Sequence, residues 1–351
     1  MRALAPEPPQ PAEARRPPEA RGLARDGVRL LAASPASIWH ARFSDLPELL
    51  VPGDLLVINT SRTLPAALPA RRADGAWLTL HLSTPVPHED HGRWVVELRR
   101  GDSRLRDAGA GERLSLPAGA SARLLAPYLG SRLWVAALTL PEPVPDYLDR
   151  QGAPIRYAHV DREWPLELHQ NVYATEPGSA ESPSAGRPFT AELITALVAR
   201  GIDIAPIVLH TGVSSLEAGE APYPERYRVP WWTADRVNVA RRVIAVGTTA
   251  VRALESAAVA DGIVRPAAGW TDLVIGPEQG VRVVDALLTG FHDRDSSHLR
   301  ILEAIAGREL VERSYRAAAE AGYLRHEFGD VMLLGSRAPD RRGHTPWPPR
   351  R

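Results

Sequence analysis

The chain has 351 residues, enough to bury a sizeable core and, at roughly 100–200 residues per domain, to form two domains. Its 42 basic and 42 acidic side chains cancel, so any contact with a nucleic acid must come from a local patch rather than from overall charge. Every basic residue is an arginine and cysteine is absent, which excludes lysine Schiff bases, phosphate-loop lysines, thiolate nucleophiles, cysteine-held zinc or iron–sulfur clusters and a disulfide-dependent secreted fold.

Residues 1–25 carry Pro6, Pro8, Pro9, Pro11, Pro17 and Pro18 among Glu and Arg, with no apolar signal core; this composition predicts a disordered or loosely docked arm. No charge-free apolar run reaches the ~18 residues of a membrane span, so a soluble, cytoplasmic protein with no membrane partner is expected; a monomer is expected as well. The run Leu55–Ile58 predicts a strand that delivers Asn59 and Arg62 to its carboxyl end, where polar groups commonly face a ligand. Residues 66–141 change texture to short alternating runs such as Trp77–Leu82, Trp94–Leu98, Ala122–Leu125 and Leu133–Ala137, separated by Gly, Pro and Asp; they predict an inserted all-β module. Within it, His88-Glu-Asp-His91 reads as a solvated hairpin turn, and no metal site is expected.

Residues 26–65 and 142–335 read as strand-then-helix. Thr190 caps a helix whose apolar face is Leu193, Ile194, Leu197 and Val198, and Gly201 stops it. Ile202–Leu209 follows as a strand, placed at an edge or bulge by Pro206, and ends at His210 and Gly212. Arg242–Val246 is a strand, Gly247 its sharp turn, and Thr248 and Thr249 are expected to cap a helix from Ala250. Arg252 and Glu255 stand three apart on that helix, a spacing at which they pair. Gly269–Pro277 carries Trp270, Thr271 and Asp272, and Val283–His292 carries Asp285, Thr289 and His292. Residues 336–351 form an Arg/Pro tail, expected to be solvated. The fold class is therefore α/β: an α/β main domain, with a barrel-like closure left open, carrying an inserted small antiparallel β-barrel.

Asp45–Pro65, Tyr173–Ser179, Pro183–Thr190, Leu209–Gly212, Arg242–Glu255, Gly269–Pro277 and Val283–His292 stand in the order found in the S-adenosylmethionine:tRNA ribosyltransferase-isomerase family, which the chain resembles over roughly residues 20–335. The resemblance implies S-adenosylmethionine as the co-substrate, with no further cofactor, and the anticodon region of a tRNA as partner. Its ribosyl part is placed on an aminomethyl-deazaguanine, giving epoxyqueuosine with loss of adenine and methionine. Such chemistry needs a base within about 3 Å of the proton next to the sulfonium. His210 and His292 are the candidates, oriented by Asp285, and Glu176 or Asp272 would protonate the departing purine. Asn59, Arg62, Gly212, Gly247, Thr248, Thr249, Arg252, Trp270, Thr271 and Thr289 are the expected cofactor-binding residues, with Trp270 available to stack on adenine.

Several positions depart from the family pattern. Asn-Asp-Thr-Arg reads Asn59-Thr-Ser-Arg62, Thr-Ala-Gly-Leu-His-Phe-Thr reads Ser184-Ala-Gly-Arg-Pro-Phe-Thr190, and the His of His-Ser-Glu is lost near Tyr223 while Glu225 remains. The Asn of Thr-Asn-Phe-His is Gly290, and Pro-Lys-Ser becomes Arg294-Asp-Ser296. These losses leave open a different acceptor, simple cofactor cleavage, or a non-catalytic binding role.

Overall fold

The computed structural model describes residues 10–89, 92–129, 132–213, 223–293 and 296–335. The main domain begins with β1 (Arg29–Ala33), β2 (Ile38–Arg42) and β3 (Asp54–Asn59). The insertion follows with β4 (Ala67–Arg71), β5 (Trp77–Pro85), β6 (Arg93–Arg100), β7 (Arg113–Ser115), β8 (Ser121–Pro127), β9 (Leu133–Thr139) and helix α1 (Val144–Gln151). The chain then returns through α2 (Ala191–Ala199), β10 (Asp203–Leu209), β11 (Glu225–Val229), α3 (Trp231–Val239), β12 (Arg242–Val246), α4 (Thr248–Ala257), β13 (Ala267–Thr271), β14 (Ala286–Gly290), α5 (Ser297–Ala306), α6 (Arg308–Glu320) and β15 (Val331–Gly335).

The main sheet has nine strands in the order β13-β11-β10-β3-β12-β14-β15-β1-β2. It is open, so the barrel-like alternative does not apply to this domain. Alternate residues enter different cores: Leu55, Val57, Val243, Ala245 and Leu287 face the side covered by α4, α5 and α6, while Leu56, Ile58, Ile244, Val246 and Leu288 face Phe43, Phe189, Leu193 and Leu197. Burial on both faces is why these strands read as continuous apolar runs rather than alternating ones. β10, β3, β12 and β14 are mutually parallel, so their carboxyl ends share one edge of the sheet.

Pro206 lies in an interior strand in continuous register with β3, rather than at the edge or bulge expected. It costs no ladder bond, because pairing with β11 begins only at Val208 and the Pro206 carbonyl accepts instead from Thr233 Oγ1 at 2.6 Å. Thr190 caps α2 as expected, its Oγ1 accepting from Leu193 N at 3.1 Å, and Gly201 follows the helix in the left-handed region. The apolar face of α2 is narrower than expected: Leu193 and Leu197 are buried, whereas Val198 is exposed.

The insertion is a six-stranded antiparallel barrel, β9-β8-β7-β4-β5-β6, closed by pairing of β6 with β9. Its core extends beyond residue 141, since Tyr147 and Leu148 of α1 and then Ile155 pack into it and Tyr147 Oη donates to Pro117 O at 2.8 Å. Ala67 and Ala153 exchange reciprocal backbone hydrogen bonds of 2.9 Å where the chain enters and leaves this unit. Residues 10–25 are docked rather than disordered. Ala12–Glu13 pairs with Leu324–Arg325, Ala14 packs with Val160, Trp164 and Phe328, and Glu19 meets the buried Arg187 at 2.6 Å. The polar composition hid this because the segment is held by strand pairing and ion pairs rather than by apolar periodicity. Residues 1–9 and the tail 336–351 lie outside the described residues.

Candidate active site

A cleft opens at the carboxyl edge of the parallel strands, the place where open α/β sheets bind their ligands. The barrel supplies one wall through Ser83, Thr84 and Val95; the ends of β10 and β11 supply Thr211, Gly212, Val213 and Tyr223–Glu225. Thr248, Thr249 and Arg252 come from α4, Leu273–Ile275 from the loop after β13, and Ser297, His298, Arg300 and Ile301 from α5.

Helix α4 starts at Thr248, two residues earlier than expected, because Gly247 at φ 86° makes the turn itself. Neither threonine caps it. Thr248 Oγ1 instead shares a hydrogen bond of 3.2 Å with His298 Nδ1, and Thr249 Oγ1 accepts from Asn59 Nδ2 at 3.2 Å. The first turn of α4 is thus a helix start with no side-chain cap facing a cleft, an arrangement suited to a carboxylate or phosphate. Arg252 is not paired with Glu255. Its guanidinium donates to Glu225 Oε2, to Leu273 O at 3.1 Å and to Thr271 O at 3.1 Å, while Glu255 accepts the backbone N–H groups of Arg282, Val283 and Val284. Glu225 Oε1 accepts from Gly212 N at 3.2 Å; burial raises its pKa and Arg252 opposes that rise.

His292 and His298 stack with centroids 4.5 Å apart and planes 23° from parallel. His292 Nε2 shares a 3.0 Å hydrogen bond with Thr289 Oγ1, and its backbone N–H donates to Tyr315 Oη at 3.0 Å. Burial lowers the His298 pKa to about 4, helped by Arg252, and pushes that of His292 well down, helped by His298 and His326. Of the two, only His298 lines the cleft. It was missed by sequence reasoning, since a single histidine in Ser296-Ser-His-Leu299 gives no periodic or spacing signal.

His210 sits in a separate polar cluster. Its Nδ1 is 2.8 Å from Ser61 Oγ, its Nε2 3.5 Å from Glu176 Oε1, and Ser61 bonds Ser179 at 2.6 Å. Burial first, then Arg226, lowers its pKa to about 4. Glu176 also pairs with Arg228, and neither Glu176 nor His210 lines the cleft. Asn59 has spent its capacity: Nδ2 donates to Leu209 O at 2.8 Å as well as to Thr249, and Oδ1 accepts from Ser61 N at 3.1 Å and Leu209 N at 3.0 Å. It braces the ends of β3 and β10 against α4. Arg62 pairs with Asp149 at 3.0 Å.

Three expected residues stand elsewhere. Asp285 accepts from Val243 N at 2.8 Å at the amino end of β14, and this five-residue strand, roughly 16 Å long, separates it from His292. Asp272 is exposed, and Trp270, on the edge strand β13, lies beside His88 at 6.4 Å between centroids; neither lines the cleft. Thr271 and Thr289 are buried behind it, Thr271 holding Arg252 and Thr289 holding His292. His88 is an exposed turn residue, and Asp90 and His91 lie outside the described residues. The donor atoms of His159, His326 and Glu327 lie within 4.8 Å of one another, but Arg325 Nε already occupies His326 Nε2 at 2.9 Å.

The family profile described as queuosine biosynthesis protein matches residues 7–334. The chain is 39% identical over 330 residues to the S-adenosylmethionine:tRNA ribosyltransferase-isomerase of Symbiobacterium thermophilum and 36% identical over 332 residues to that of Thermus thermophilus, covering 88% of this chain and 93% of each relative. A crystal structure of S-adenosylmethionine tRNA ribosyltransferase from Thermotoga maritima aligns with 94% of this chain and 95% of its own at 29% identity and a TM-score of 0.47. The family and sequence matches run through both the main sheet and the inserted barrel, and they make the chain an enzyme of the S-adenosylmethionine:tRNA ribosyltransferase-isomerase family.

Proposed function

We propose that the cleft binds S-adenosylmethionine and that the enzyme transfers and isomerises its ribosyl part onto 7-aminomethyl-7-deazaguanine in a tRNA anticodon loop, giving epoxyqueuosine and releasing adenine and methionine. The observation that carries this reading is the start of α4, where Thr248 and Thr249 line the cleft and no side chain caps the helix. It suits the methionine carboxylate. Arg252, fully engaged by Glu225, Thr271 and Leu273, shapes the floor rather than gripping that carboxylate. The apolar side chains Val95, Leu273, Ile275 and Ile301 exclude water from a reactive intermediate. Reaction begins with loss of the proton on the carbon next to the sulfonium, and adenine leaves with a proton supplied to the purine. S-adenosylmethionine is the co-substrate and no further cofactor enters these steps. A monomer working in the cytoplasm alongside tRNA fits this reading; among the described residues no helix is long and apolar enough to cross a membrane.

No observation favours a small-molecule acceptor or a non-catalytic role. The test is mass-spectrometric detection of adenine and methionine released with and without tRNA bearing the aminomethyl-deazaguanine precursor. Release only with that tRNA, matched by a mass gain in the anticodon nucleoside, is expected. Equal release without tRNA would overturn the acceptor, and no release the reaction.

A further inference from the structure

Two cleft-lining side chains among the described residues can accept a proton at neutral pH, Glu225 and His298. Glu225 has both oxygens engaged, one by Gly212 N and one by Arg252. His298 uses only Nδ1, on Thr248 Oγ1, and among the described residues no hydrogen bond is made at Nε2. Resting on the function proposed above, we propose that His298 is the catalytic base for the first step, in place of His210 or His292. The C–H bond next to the sulfonium breaks, its electron pair stays on carbon beside the positive sulfur, and the proton passes to His298 Nε2. The neutral imidazole becomes imidazolium as the substrate centre loses its net positive charge, so charge is conserved.

The surroundings set up this role. For Nε2 to accept, Nδ1 must carry the ring proton and donate it to Thr248 Oγ1, which fixes both tautomer and ring orientation. The same threonine begins α4, so the base and the helix start that receives the carboxylate are tied together. His292 is a positioning residue: it covers one face of the His298 ring while Thr289 and Tyr315 hold it still. Burial keeps the His298 imidazole neutral, hence proton-free at Nε2, throughout the physiological range.

The experiment compares the full-length wild type with H298Q and H298A, each first shown to share its melting temperature and its affinity for S-adenosylmethionine. Adenine release with precursor tRNA gives kcat and KM, and solvent-deuterium uptake into S-adenosylmethionine reads proton removal directly. The expected result is a kcat at least ~100-fold lower in both variants, KM within about threefold, deuterium uptake abolished, and partial recovery of H298A by added imidazole. A variant that keeps a tenth or more of kcat, or that still exchanges deuterium, overturns the base assignment and leaves the function standing. A wild type that releases no adenine with the precursor tRNA ends the function and the base assignment together.

Discussion

Glu225 and Arg252 meet directly inside the cleft, with both side chains about nine-tenths buried, although they are 27 positions apart in sequence and on different elements. Their pairing joins the end of β11 to the first turns of α4, and through Thr271 and Leu273 to the loop after β13. Removing one partner leaves the other charge buried and uncompensated, which costs about 3–5 kcal/mol. R252A is therefore expected to lower unfolding stability by that order in urea titrations and to abolish binding of S-adenosylmethionine. A loss below about 1 kcal/mol would show the pair to be solvated in solution.

Gly212 lies so close to the barrel that a Cβ there would stand 2.7 Å from Ser83 Oγ. That oxygen also accepts from Val213 N at 2.9 Å. G212A is expected to cost about 1–3 kcal/mol by displacing the hydroxyl and breaking this bond. The cost should shrink in an S83A background, by at least ~0.5 kcal/mol in a double-mutant cycle. Equal costs in the two backgrounds would mean that the barrel does not press on this turn.

Histidines give the fold a direction of pH dependence. Burial lowers His169, His210 and His298 to about 4 and holds His292 well below its ordinary value, against about 6.5 in an unfolded chain. Between these values the unfolded chain binds more protons than the folded one, so stability is fully present above about pH 6.5 and is lost as pH falls towards 4. His169, packed on Phe328 away from the cleft, isolates one contribution. Urea unfolding of H169Q at about pH 7, 5.5 and 4.5 should show a slope shallower by up to about one proton; an unchanged slope would remove His169 from the account.

The buried Arg187 depends on Glu19 for its charge partner, and Glu19 is itself about a third exposed. E19A strands the guanidinium, with an expected loss of roughly 1–3 kcal/mol after allowance for solvent near Glu19. Replacing both, as E19Q with R187M, should be no worse than E19A alone. If calorimetry finds the double variant clearly less stable, Arg187 contributes more than charge pairing.

Much of the fold was readable because local signals agreed with it. The Thr190 cap, the turn at Gly247, the apolar strands of the main sheet and the alternating runs of the barrel each follow from residues within a short window. The site was less readable because its bonds are long-range. Nothing near Arg252 points to Glu225, and nothing near Arg187 points to Glu19, 168 positions away. Asp285 and His292 looked close in sequence, but an intervening strand carries its two ends to opposite edges of the sheet. His298 carried no pattern at all; only the fold of α5 across the mouth of α4 gives it a role.

The reciprocal bonds between Ala67 and Ala153 stitch together the two points where the chain enters and leaves the barrel, beside the contacts that Ser83 and His88 make with the main domain. Gly152 permits the two passing strands of chain to approach, since a Cβ there would lie 1.9 Å from Pro65 O. With its ends already touching, the excursion adds no open loop whose closure must be offset elsewhere. One wall of the cleft is thus carried by a unit whose loops away from Ser83, Thr84 and Val95 can drift or lengthen while the connectivity that aligns the parallel strands stays untouched.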